Sequence, residues 1–132
     1  MKIGELSKRA DTGIDTVRFY EREGLLPPPQ RQASGYRLYE ASDVSRLRFI
    51  RRAKALGFTL SEIRELLALS GRREDDMAGL KIAATEKLAD VESKLAELSR
   101  IRDGLLALVT ACPGHGALDR CPILNALAED TP

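Results

Sequence analysis

Apolar positions recur at helical spacing along most of the chain. Ile3, Leu6 and Ala10 predict a short amphipathic helix, broken at Asp11-Thr12-Gly13, where Gly13 suits a tight turn. A second helix is predicted from about Ile14, with Asp15 or Thr16 in its first turn. Its apolar face reads Ile14, Val17 and either Phe19 or Tyr20, and it stops near Gly24. Two short helices joined by so tight a turn read as a helix-turn-helix. The run Leu25-Leu26-Pro27-Pro28-Pro29 cannot continue a helix. Gln30 to Tyr39 then reads as a two-strand ribbon around Ala33-Ser34-Gly35, with Tyr36, Leu38 and Tyr39 as strand formers. Beside a helix-turn-helix such a ribbon is a wing. Ser42-Asp43 predicts the cap of a helix reaching about Leu56, with Val44, Leu47, Ile50 and Ala53 or Lys54 on its buried side, ended by Gly57. Thr59 or Ser61 with Glu62 starts a further helix through Ile63, Leu66 and Leu67, closed by Ser70-Gly71.

From Asp75 to about Ala111 there is no proline, and the only glycines are Gly79 and Gly104. Leu88, Val91, Leu95 and Leu98 step by three and four residues, and Ile101, Leu105 and Leu108 repeat that rhythm after one local phase shift. This is a coiled-coil seam on a helix roughly 50 Å long. Its partner is expected to be the same helix of a second copy, antiparallel or parallel, giving a two-fold dimer. Folding back on the N-terminal domain is the alternative. The expected fold is therefore mainly α: a winged helix-turn-helix over 1–70, a dimerisation helix over 75–111, and a loop with a short closing helix over 112–132.

Composition sharpens this picture. Of 132 residues, 43% are hydrophobic and 31% charged, enough for a modest core and much exposed helix surface. The net charge of +1 hides an asymmetry: residues 1–70 carry +4 and residues 71–132 carry −3. The basic front half is the part expected to meet a polyanion. No apolar run approaches the roughly 18 residues that span a bilayer, and Met1-Lys2-Ile3-Gly4-Glu5 lacks a secretory core. A soluble cytoplasmic protein with no membrane partner is expected. No Ser-His-Asp arrangement, phosphate loop or paired-carboxylate site is apparent, so the reading is non-enzymatic.

The two cysteines, Cys112 and Cys121, have eight residues between them, each is followed by proline, and the chain's single histidine, His115, falls between them. In a reducing compartment a structural disulfide is improbable. Two thiols framing a tight loop present soft donors to one ion. A zinc site wants four ligands, whereas one chain supplies Cys112, Cys121 and at most His115. A monovalent soft ion such as Cu(I), held near-linearly by two thiolates, matches that count. His115 is either a ligand or a hydrogen-bonding group. A reversible disulfide responding to oxidants is the competing use of the pair.

Three segments together resemble the hallmark of the MerR family of transcription regulators: Thr16-Val17-Arg18-Phe19-Tyr20-Glu21-Arg22-Glu23-Gly24-Leu25-Leu26, Gly35-Tyr36-Arg37-Leu38-Tyr39, and Leu56-Gly57-Phe58-Thr59-Leu60-Ser61-Glu62-Ile63. They occur in the family's order within residues 1–70. The resemblance implies a winged helix-turn-helix that binds promoter DNA as a homodimer through a long antiparallel helix. It also implies activation in which metal binding bends and untwists the DNA and so realigns the promoter for RNA polymerase. Residue chemistry agrees. Thr16 and Arg18 on the second helix face the major groove, and Tyr20 offers a phenol to a phosphate. Arg31, Tyr36 and Arg37 of the wing lie where a neighbouring backbone would pass. Arg46, Arg48, Arg51, Arg52 and Lys54 either contact phosphates, Arg52 and Lys54 foremost, or solvate a helix face.

The resemblance extends into the cysteine loop, where Ala111-Cys112-Pro113-Gly114 and Cys121-Pro122-Ile123 look like the loop of copper-sensing members. In that subgroup two cysteines bind Cu(I), Ag(I) or Au(I). Members sensing divalent Zn, Cd, Pb or Hg add a cysteine from the partner's long helix, and at that position this chain has Met77. Met77 is either a packing residue or a third, thioether ligand. The eight-residue spacing is one longer than the copper-type loop and nearer the mercury and zinc types, so a divalent soft metal is the alternative ligand.

Overall fold

The computed structural model describes residues 1–132 apart from Gln32, Ser34, Tyr36, 72–76 and 130–132, and apart from the side chains of Gln30, Arg31 and Arg37. The elements in order are α1 (Ile3–Ala10), α2 (Ile14–Arg22), β1 (Gln30–Arg31), β2 (Arg37–Leu38), α3 (Ala41–Ala55), α4 (Leu60–Ser70), α5 (Met77–Ala111), a 3-10 turn (Leu118–Arg120) and α6 (Pro122–Ala128). Tyr36 and the expected start of the long helix at Asp75 lie outside the described residues. The chain divides into two compact units, Met1–Ala84 and Thr85–Pro132. The first two turns of α5 thus belong with the N-terminal unit, where Leu80 and Ala83 pack on its core.

That core is built from the apolar stripes of four helices. Leu6, Val17, Leu25, Leu47, Ile50 and Ile63 are fully buried, joined by Tyr39 behind β2. Burying each such aliphatic side chain is worth about 2 kcal/mol, so this small set carries much of the unit's stability. The turn between α1 and α2 uses a different residue from the one expected. Asp11, at φ 50°, takes the left-handed position, while Gly13 is the extended N-cap of α2. Asp tolerates this conformation better than most side chains.

Two caps also repay inspection. α4 takes Thr59 rather than Ser61 as its start and opens on a capping box: Thr59 Oγ1 accepts from Glu62 N at 3.2 Å, and Thr59 N donates to Glu62 Oε1 at 2.8 Å. α3 starts earlier than Ser42-Asp43 suggests. Glu40 is its N-cap, and buried Asp43 sits at N3, accepting from Glu40 N at 2.8 Å. The wing is a minimal antiparallel ribbon with Gln30 opposite Leu38 and Arg31 opposite Arg37.

In the second unit the seam residues of α5 stay exposed on the single chain: Leu95 and Leu98 at 61% each, Leu105 at 57%. Leu118, Leu124 and Leu127 beyond it are exposed as well. Among the described residues no helix is long and apolar enough to cross a membrane.

Candidate nucleic-acid interface and metal centre

On α2 the three-residue offset between Val17 and Tyr20 places both on the buried side. Thr16 and Arg18 consequently face out and are exposed. Arg18 shares a surface hollow of about 830 Å³ with Arg22, Lys2, Ile14 and Gly35, so the outer face of α2 and the wing turn border one depression. Arg22 and Lys2 were not singled out from the sequence. The usable signal for Arg22 was its i,i+4 offset from Arg18, which puts both cations on one helix face. Arg31 and Arg37 are backbone partners in the ribbon.

Tyr20 lies on the inner side of α2. Only 5% exposed, it packs in the core, with Lys54 Nζ 6.0 Å from its ring centre. Its neighbour Phe19 takes the outer position at 36%. The ring thus belongs to the packing that seats α2.

The five cations of α3 separate into two groups. Arg46 Nε donates to the Leu25 carbonyl at 2.6 Å. Arg48 Nη2 reaches the Arg9 carbonyl at 3.1 Å, and Arg51 Nη1 binds both the Asp11 carbonyl at 3.2 Å and its carboxylate at 2.5 Å. These three hold the ends of α1 and α2. Arg52 and Lys54 are exposed and remain the α3 candidates for phosphate contact.

The cysteine loop leaves α5 with its helical bond intact, Cys112 N donating to the Leu108 carbonyl at 3.1 Å. Gly114 and Gly116, at φ 80° and 110°, turn the chain back through conformations that side chains disfavour. Cys121 is the N-cap of α6, with Pro122 at the first helical position. Both thiols are free and half-buried, and they line one hollow of about 550 Å³. The Leu124 N–H pulls the Cys121 thiol below its ordinary range, aided by the Ile123 N–H and the Cys112 thiol, while burial works the other way. A thiol biased toward thiolate beside a second thiol is the donor set a soft cation requires.

His115 is exposed, and its Nδ1 lies 3.1 Å from the Pro113 carbonyl of its own loop. Among the described residues no group of three His, Cys, Asp or Glu side chains converges. Cys112, His115 and Cys121 all line that hollow, with the His115 ring turned to its own loop's carbonyl. Met77, at the start of α5, is 85% exposed. The residues present fit an ion satisfied by two sulfurs.

The chain is similar to known proteins along nearly its whole length. A family model described as MerR HTH family regulatory protein matches residues 1–70, and a second, described as MerR, DNA binding, matches residues 44–108. The chain is 41% identical to the HTH-type transcriptional regulator CueR of Yersinia pestis, over 97% of this chain and 91% of that protein. It is 39% identical to the mercuric resistance operon regulatory protein of Bacillus cereus, over 97% of each. Among solved structures, the transcription regulator PbrR691 from Ralstonia metallidurans CH34, in complex with lead(II), superposes with a TM-score of 0.86 at 43% identity, covering 97% of this chain and 99% of that one.

Proposed function

This chain belongs to the MerR family of helix-turn-helix transcription regulators, and on that premise we propose that it is a metal-responsive activator switched by a monovalent soft ion. The ion is Cu(I), or Ag(I) or Au(I) in its place, and Cys112 and Cys121 hold it. The protein works as a homodimer on promoter DNA: the exposed α5 seam is the surface a second copy covers, and the outer face of α2 with the wing meets the duplex. RNA polymerase at the same promoter is the partner that reads the outcome.

One observation carries the choice of metal. Two thiols line one hollow at the end of α5, and among the described residues no group of three His, Cys, Asp or Glu ligands forms there. Two thiolates satisfy a d¹⁰ monovalent ion, whereas Zn(II) usually takes four protein ligands. The presence of Met77 rather than a cysteine supports the same choice. When bound, the ion supplies a crosslink between the end of α5 and the start of α6. The chain's own part is to hold Cys121 toward thiolate and to order the Gly114–Gly116 turn. For the ion to activate, its affinity must differ between the repressing and activating arrangements of the dimer. Deforming the DNA costs on the order of 1–6 kcal/mol, within reach of a thiolate–metal bond.

The eight-residue spacing favours a second reading, a divalent sensor, and the mercury and lead relatives lend it weight. Titrating the reduced homodimer with Cu(I), Ag(I), Zn(II) and Hg(II), while following transcription from a promoter it binds, separates the two. The expected response is confined to the monovalent ions. Cys112→Ser and Cys121→Ser are expected to bind DNA as before and to lose induction. Induction by Zn(II) or Hg(II) alone replaces Cu(I) with the divalent reading, and unchanged induction in both variants sinks the metal loop.

A further inference from the structure

The C-terminal end of α2 is held from three directions. Tyr39, just beyond β2, donates its hydroxyl to Glu21. Arg46 of α3 binds the Leu25 carbonyl. From α4, Arg64 grips the cap residue itself. Its Nε and Nη2 both donate to the Glu23 carbonyl, at 3.1 and 2.9 Å, and Nη2 also reaches Glu23 Oε2 at 2.9 Å.

The Glu23 carbonyl is one that a helix end leaves without an intrahelical partner. Gly24, at φ 76°, closes the helix with bonds from Gly24 N to the Glu21 carbonyl and from Leu25 N to the Tyr20 carbonyl. That closure leaves the Glu23 carbonyl pointing outward, and a cation there also suits the helix dipole. The planar guanidinium engages the carbonyl and carboxylate together, and so restricts direction as well as distance. Both side chains are 43% exposed, so the ion pair adds little stability. Its consequence is geometric.

We propose that Arg64 is a positioning residue for DNA recognition: by clamping Glu23 it sets the orientation in which α2 presents Arg18 and Arg22, and ties that orientation to α4. The clamp thus joins the reading helix to α4 within the N-terminal unit. This rests on the DNA-binding reading above.

The test begins with the full-length wild-type homodimer selecting a duplex from a randomised pool. Affinity for that duplex and for poly(dI-dC) is then measured across a salt series for Arg64→Ala, Arg64→Lys, Glu23→Ala and the double Arg64→Ala/Glu23→Ala variant. Arg64→Ala is expected to weaken the selected duplex about tenfold, with poly(dI-dC) affinity and the salt slope unchanged. Arg64→Lys keeps the charge but not the fork, and is expected to share most of that loss. It also keeps the test decisive if Arg64→Ala does not fold. The Glu23→Ala loss is expected to be smaller and not to add in the double variant. Full retention by Arg64→Lys, additive losses, or an equal loss on both duplexes with a shallower salt slope each overturn the proposal, the last by making Arg64 a phosphate contact. A wild-type protein that enriches no sequence overturns the DNA-binding reading instead.

Discussion

At the residue scale, identical side-chain types take different work from their surroundings. Arginines spaced along α3 look equivalent in sequence, yet Arg46, Arg48 and Arg51 satisfy backbone carbonyls of α1 and the α2 exit while Arg52 does not share that role. Those carbonyl partners lie far away in sequence, so no local pattern distinguishes the three. Cys121 gives a prediction with a definite sign. Its thiol pKa is lowered by the Leu124 N–H before all else, so the folded chain ionises it at lower pH than the unfolded chain. The stabilisation this brings is complete above the ordinary thiol value of about 8.5 and is lost as pH falls through the lower, folded value. In reduced, metal-free protein, iodoacetamide should therefore label Cys121 with a midpoint at lower pH than in the urea-unfolded chain. Coincident midpoints would contradict the assignment.

At the element scale, helix starts and stops were legible where a side chain caps its own helix. The Thr59–Glu62 box is a four-residue motif, and of the two starts that the sequence offers, Thr59 and Ser61, the structure takes Thr59. Thr59→Ala is expected to lower the unfolding free energy by about 1 kcal/mol, measured by urea denaturation with an unchanged m-value. The α3 cap was misplaced by two residues because Glu40 is a less common N-cap than Ser42, and only buried Asp43 reveals the pairing. Periodicity could not choose between Phe19 and Tyr20 on α2, since adjacent residues both border the apolar face. The packing of α2 on α1 and α3 decided for Tyr20.

For the whole molecule, the α5 seam carries the consequence. A row of leucines left largely exposed on one chain is costly in water unless another surface covers it. Leu98→Lys, at the middle of the row, is expected to shift the protein toward monomer in sedimentation equilibrium. The monomer should retain the helical signal of the N-terminal unit but bind the selected duplex far more weakly, because two half-sites can no longer be engaged together. A variant that stays dimeric with unchanged DNA affinity would show that the seam serves another purpose.

Sequence alone determined which segments are helical, where the chain turns, that the front half is the basic one, and that two thiols frame a glycine-bearing loop. These follow from periodicity, caps and local spacing, each acting over a few residues. Tertiary structure decided which face of α2 looks outward, which arginines are committed to carbonyls, that Arg22 joins Arg18 in one depression, and that His115 turns its Nδ1 to the Pro113 carbonyl. Each of those outcomes depends on groups brought together by packing or by loop conformation, and a linear pattern carries no record of such distances.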